Sequence, residues 1–211
     1  MGVYTPTSSN TTYYRVTGGK LVQSVQEGTP GAESRVNKNG KTVYEKNEPG
    51  WTGHITNVSV EINEEFGDNL VIEMKDSGGF QANIKAKLRS GYAKAFLKRL
   101  PNINFEIENT LCPGTFETED GKTRSYIAVF TNNGKVEPAF TRDEPNGLPQ
   151  LELVKFQGKE TWDDTKQMEF FMDMLNTDIK EKIAKANYNP VGEAAPDVNP
   201  GVEIDDSDLP F

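Results

Sequence analysis

The sequence predicts a mainly β protein, an OB-like five-stranded barrel with extra hairpins, one short helix and one longer C-terminal helix. Three observations carry this. Short stretches of apolar/polar alternation recur from Trp51 to Phe156, punctuated by Gly-, Asn- and Asp-rich turns. A short helical pattern follows the third strand of the dense β region. One longer stretch, with apolar residues three and four apart, closes the folded part of the chain.

Residues 1–12 are polar and are read as a flexible arm. Arg35–Tyr44 is a hairpin turning at Asn39-Gly40, after a loop at Gln26–Ala32. In Thr52–Ile62, Val58, Val60 and Ile62 alternate against Asn57, Ser59 and Glu61. Leu70, Ile72 and Met74 then face one way in Leu70–Lys75. Phe80–Leu88 gives the clearest alternation: Phe80, Ala82, Ile84, Ala86 and Leu88 form a core face, and Gln81, Asn83, Lys85 and Lys87 a polar, positive one. Ser90 caps a short helix that buries Tyr92, Ala93, Phe96, Leu97 and Leu100 and stops at Pro101.

Strands resume at Ile103–Leu111, are interrupted at Pro113-Gly114, and continue at Arg124–Thr131 after an Asp120-Gly121 turn. A short strand around Val136–Phe140, a loop at Asp143–Pro149 and a strand at Leu151–Phe156 follow. Phe80, Phe96, Phe105 and Phe130 are assigned to the core. Asp163 or Asp164 caps the long helix, which runs to about Asn187. Its stripe of Met168, Phe171, Met172, Leu175, Ile179 and Ile183 packs on the barrel or, as second choice, against another copy, so a homo-oligomer stays open. The folded domain is 13–188. Residues 189–211, with Pro190, Pro196, Pro200 and Pro210, are expected to be a disordered acidic tail.

Composition narrows the function. A chain of 211 residues with mean hydropathy −0.65 suits one domain with appendages. No apolar run reaches the roughly 18 residues of a membrane span. The N-terminus lacks the basic and apolar regions of a secretory signal, so a cytoplasmic protein is expected. Cys112 and His54 are the only residues of their types, which excludes an internal disulfide framework and a Cys/His zinc site. No cofactor is expected.

Glu64-Glu65, Glu117/Glu119/Asp120 and Asp163-Asp164 are the carboxylate clusters a Mg²⁺ nuclease would need. Adjacent acids on a strand point to opposite faces, however, and acids at turns and helix N-termini have structural reasons to be there. The chain is read as a non-enzyme.

The net charge of −9 conceals a segregation. Residues 189–211 carry Glu193, Asp197, Glu203, Asp205, Asp206 and Asp208 with no Lys or Arg. From Ser77 to Phe105 the chain carries Lys85, Lys87, Arg89, Lys94, Lys98 and Arg99 and no acid. A basic strip in the body thus precedes an acidic tail.

The chain ends Glu203-Ile204-Asp205-Asp206-Ser207-Asp208-Leu209-Pro210-Phe211. A basic-rimmed apolar pocket can capture the Phe211 ring and the terminal carboxylate together. Ring burial stabilises such a contact by roughly 1.5–3 kcal/mol. This ending resembles the C-terminal tip of bacterial and phage single-stranded DNA-binding proteins. The order of three strands, a helix and two strands over Trp51–Thr131 is that of an OB-fold. Taken together the chain resembles a phage-type single-stranded DNA-binding protein, and Val25–Tyr44 also looks like a pattern seen in such phage proteins.

The resemblance implies sequence-tolerant binding of single-stranded DNA in replication, recombination and repair, in the bacterial host cytoplasm if the chain is phage-encoded. It implies that Asp205, Asp206, Asp208, Leu209, Pro210 and Phe211 dock replication and recombination proteins. The rival reading is an adaptor that uses the same tip without binding DNA.

Such binding needs cations that track phosphates and aromatic faces for bases. The candidates are Lys85, Lys87, Arg89, Lys94, Lys98 and Arg99, with Arg35, Lys38 and Lys41 on the N-terminal hairpin. Tyr14, Tyr44 and Trp51, which stand beside polar residues, are the stacking candidates. Trp51 closing one end of the barrel is the alternative.

Overall fold

A computed structural model describes residues 10–156 and 158–188. The tail, including Asp205, Asp206, Asp208, Leu209, Pro210 and Phe211, and the first nine residues of the expected arm lie outside the described residues. The strands are β1 (Thr11–Thr17), β2 (Lys20–Val25), β3 (Glu33–Val36), β4 (Thr42–Glu48), β5 (Trp51–Glu61), β6 (Asn69–Lys75) and β7 (Gln81–Lys87). Helix α1 (Gly91–Leu97) and a 3₁₀ turn (Leu100–Asn102) lead to β8 (Asn109–Glu117), β9 (Thr123–Thr131) and β10 (Gly134–Lys135). A separate hairpin of β11 (Glu152–Phe156) and β12 (Lys159–Asp163) precedes α2 (Thr165–Met174), a π-helical turn (Leu175–Ile179) and α3 (Lys180–Tyr188). The protein is mainly β, as its alternation requires.

Ten strands make one sheet in the order β10-β9-β8-β5-β6-β7-β1-β2-β4-β3. This corrects the five-stranded barrel, because the sheet is large and open. Closing five strands would pair β7 with β9. The edge of β7 is instead taken in parallel by β1, from Thr11 opposite Gln81 to Arg15 opposite Lys85. The sheet curls nonetheless. A Cβ on Gly19, in the β1–β2 turn, would stand 3.3 Å from the backbone nitrogen of Thr115 on β8. The Gly19 N–H donates to the Tyr92 hydroxyl of α1 at 2.6 Å. Strand β5 serves two neighbours, pairing β8 through Trp51–Gly53 and β6 through the rest, with a register shift between Ile55 and Asn57 where it bends.

One core fills the concave side. Ile55, Leu70, Ile72, Met74, Ala82, Ile84 and Ala86 meet Phe96, Leu97 and Leu100 of the α1 region and Phe171, Leu175 and Ile179 of the C-terminal helices. The helical stripe therefore packs on the sheet, the first of its two expected roles. Ser90 caps α1 as its position predicts, its side chain accepting the Ala93 N–H. At the head of α2 the two aspartates divide the work. Asp163 accepts the Thr165 N–H at 3.0 Å, while Asp164, at the cap position, gives its carboxylate to Arg89 and Lys94.

Several expectations need correction. The strand expected at Ile103–Leu111 starts only at Asn109, whose buried side chain donates to the carbonyls of Asn104 and Ile107 and holds the preceding coil. Ile103 and Phe105 are buried from that coil. β8 runs through Pro113-Gly114, because its pairing with β5 ends at Leu111 and the missing N–H breaks no bond on that edge. Val136–Phe140 is not a strand; Val136 and Phe140 are buried individually beyond β10. β12 was not expected, since Lys-Glu-Thr-Trp-Asp carries no apolar alternation. Phe96 and Phe105 are core, but Phe80 and Phe130 are exposed. Phe80 lies just before β7 begins, and Phe130 has the opposite parity to the buried Ile127 and Val129.

Candidate nucleic-acid interface

Alternation along β7 turns Ala82, Ile84 and Ala86 inward and Gln81, Asn83, Lys85 and Lys87 outward. The parallel register with β1 adds Thr11, Tyr13 and Arg15 to the outward face, and the antiparallel register with β6 adds Asn69, Val71, Glu73 and Lys75. On this convex face Tyr13 is 61% exposed. At one end stands Phe66, in the β5–β6 loop, 67% exposed; Phe80, exposed in the β6–β7 turn, has the parity of Ala82 and so faces away from Gln81. Aromatic and cationic side chains thus share one open surface.

The predicted cations divide into three groups. Lys85 and Lys87 lie on the convex face. Lys85 pairs with Glu61 at 2.7 Å, and the Lys87 ammonium donates to the carbonyls of Phe66 at 2.6 Å and Gly67 at 3.2 Å. A second group surrounds α1. Arg89 pairs with Asp164, and Lys94 reaches the other oxygen of the same carboxylate at 2.5 Å. Arg99 donates to the Val136 carbonyl at 3.1 Å and the Ala95 carbonyl at 2.7 Å, so it clamps the chain after β10 onto α1. Lys98 is half-buried, and that burial, with Lys94 and Arg99 nearby, lowers its ammonium pKa below the ordinary lysine value.

The third group is on the N-terminal hairpin. Lys38 and Lys41 sit at its tip, where the Asn37 side chain accepts the N–H groups of Asn39 and Lys41, each at 3.0 Å. Neither lysine has an ion pair among the described residues. Arg35 shares the buried Glu45 carboxylate with Arg15, at 2.6 and 2.5 Å. The hydrogen bond from Arg35, with Arg15 adding to it, holds the Glu45 carboxyl below its ordinary pKa. Arg15 was not among the sequence candidates. Its parity with Tyr13, opposite to the apolar pair Tyr14 and Val16, is the signal that finds it.

Two of the three predicted stacking residues, Tyr14 and Trp51, lean on packing instead. Tyr14 points to the core side, where burial, then Glu48, raises its phenol pKa. The Trp51 ring lies over Gly53, where a Cβ would come within 2.5 Å of it, and packs against the core. The alternative weighed for it, closing one end of a barrel, has no barrel to act on, because the sheet is open. Tyr44 is half-buried on β4, where the neighbouring Glu27, and then burial, raise its phenol pKa. Tyr13 and Phe66 are exposed aromatics at this face that sequence reasoning missed.

No family model matches the chain, and neither curated proteins nor solved structures give a match. Among the described residues no three His, Cys, Asp or Glu side chains gather as metal ligands. Asp120 is held by Thr118 and Lys122, and its hydrogen bonds lower its pKa. Cys112 is partly covered, and burial pushes its thiol pKa up, away from the reactive thiolate. No helix among them is long and apolar enough to cross a membrane.

Proposed function

We propose that the chain binds single-stranded DNA in a sequence-tolerant way, on the convex face of β6, β7 and β1. The observation that carries this is the shared open face: Tyr13 and Phe66 for bases, and Lys75, Lys85 and Lys87 for phosphates, with Arg15 beside them on its Glu45 partner. The order β5-β6-β7-α1-β8-β9, with β5 antiparallel to both β6 and β8, supports an OB-type ancestry in which β1 has replaced the closing strand pair. OB-folds bind strands across their second and third strands, here β6 and β7.

Of the two ion pairs on this face, Arg15–Glu45 is held by a buried carboxylate and stays as structure, while Lys85–Glu61 does not oppose the reading. Lys85 and Glu61 are both substantially exposed, and such pairs stabilise by only about 0.2–1 kcal/mol, so a phosphate can take the place of Glu61. The acidic C-terminal tip recruits replication and recombination proteins, and the protein works without catalysis or cofactor.

The test is fluorescence anisotropy of a labelled oligo-dT at several salt concentrations. A label on the DNA is needed because neither Trp51 nor Trp162 is on the proposed face. Five phosphate contacts give roughly a hundredfold loss of affinity between 50 and 200 mM salt, at a slope of about −0.7 per phosphate. Duplex DNA should bind much more weakly.

One observation favours the adaptor reading. The β11–β12 hairpin exposes Leu153 directly opposite Trp162, with Leu151 beside them, a face suited to another protein. Absence of DNA binding at low salt, with and without the tail, selects that reading.

A further inference from the structure

We infer that the groove between Tyr13 and Glu73 holds one nucleobase and favours a base with an exocyclic amino group, cytosine over thymine. This rests on the single-stranded DNA reading and deepens it.

Strand register aligns Asn57 of β5, Glu73 of β6, Asn83 of β7 and Tyr13 of β1 in one row across the convex face. Neighbouring strands are about 4.8 Å apart, so Tyr13 and Glu73 stand about 10 Å from each other across Asn83. Between them lies a groove of about 350 Å³, walled also by Thr11, Thr56 and Gln81. That is ample for a base stacked on the exposed Tyr13 ring with its edge turned toward Glu73.

Among the described residues two side-chain amides stay open in the groove, that of Asn83, whose buried Oδ1 has no partner, and that of Gln81 at its Nε2. An amide offers a donor and an acceptor alike, and the one open group that can only accept is the Glu73 carboxylate. Thr11 donates its hydroxyl to the Gln81 Oε1 at 3.0 Å, and the Thr56 hydroxyl donates to the Glu73 carbonyl at 3.2 Å. Asn57 donates to Glu73 Oε1 at 3.2 Å. Glu73 Oε2 has no hydrogen-bond donor, and Glu73 no ion pair, among the described residues. An ionised carboxylate only accepts hydrogen bonds.

On a face that must attract phosphates, such a group is repulsive to the backbone and useful only to a base edge. Glutamate accepts from the N4 amino group of cytosine, whereas thymine presents O4 at the same place and meets the carboxylate with a lone pair. Cytosine and thymine have the same ring size, so the comparison isolates this one group.

The experiment titrates labelled oligo-dC and oligo-dT of about 15 nucleotides, long enough to cover an OB-type site, into the full chain and into Glu73→Gln at neutral pH and equal salt. The wild-type chain should bind oligo-dC about five- to tenfold tighter than oligo-dT. Glu73→Gln, whose amide can turn either a donor or an acceptor to the base, should bring the two toward parity, chiefly by improving oligo-dT. Thermal unfolding of the variant confirms that the sheet is intact. Equal binding of both oligonucleotides by the wild-type chain overturns the inference and leaves the DNA reading standing. A cytosine preference that survives Glu73→Gln also overturns it, because the discriminating group is then elsewhere. Binding of neither oligonucleotide removes the DNA reading and the inference with it.

Discussion

Tyr13 and Tyr14 are adjacent and chemically identical, and the pleat of β1 gives them opposite fates. Tyr13 points to the convex face, and Tyr14 packs toward the core with Val16. On the DNA reading, Tyr13→Ala should weaken oligo-dT binding by about 1–3 kcal/mol in an anisotropy titration, with the melting temperature little changed. Tyr14→Ala should do the reverse. Equal loss of binding from both would remove Tyr13 from the interface. The apolar parity of Tyr14 and Val16 was available in the sequence, but a pair of tyrosines beside polar residues hides which one belongs to the core until β1 has a partner strand.

Glu45 was invisible for a different reason. Its two guanidinium partners come from β1 and β3, so the burial of its carboxylate is a tertiary fact. Because its folded pKa is depressed, its contribution is complete above the unfolded glutamate pKa of about 4.3 and is lost as pH falls through the lower folded value. Urea denaturation should therefore show stability declining below about pH 4.5, with a shallower decline in Glu45→Gln.

At the level of elements, the sequence disclosed most of what local chemistry decides. The Asn39-Gly40 and Asp120-Gly121 turns, the Ser90 cap, strands β5 to β7 and β9, and the stripe from Met168 to Ile183 all stand where their patterns put them. What could not be read depends on neighbours. A proline is tolerated in β8 because β5 departs before it, and β12 forms by pairing with β11 despite its polar sequence. Gly91 is a comparable case. It opens α1, where alanine would be the better helix former, yet a Cβ there would meet the Ser125 carbonyl oxygen of β9 at 2.5 Å. Gly91→Ala should thus destabilise the protein by about 1–3 kcal/mol in urea denaturation, despite a helix-propensity gain of up to about 1 kcal/mol. A more stable variant would mean that α1 does not lie so close to β9.

For the whole molecule, charge was the least legible property. The run without acids from Ser77 to Phe105 suggested one basic surface, but Glu61 from β5 and Asp164 from the head of α2 are brought onto it and divide it. What remains on the convex face is moderate, which gives the acidic tail more leverage over it. Deleting Glu203–Phe211 should tighten oligo-dT binding at low salt, with the two forms converging as salt shortens the range of the tail's charge. An unchanged low-salt affinity would show that the tail does not compete for the face.

The parallel pairing of β1 with β7 also sets an order of events during synthesis. Thr11 leaves the ribosome 70 residues before its partner Gln81, a delay of roughly 4–14 s at about 5–20 residues per second. Hairpins β1–β2 and β3–β4 can form in that interval, but the surface that carries Tyr13 beside Lys85 cannot. A nascent chain therefore has no complete convex face until β7 has been made, and a truncated product ending before Gln81 would carry Tyr13, Arg15 and Lys75 without Lys85 and Lys87.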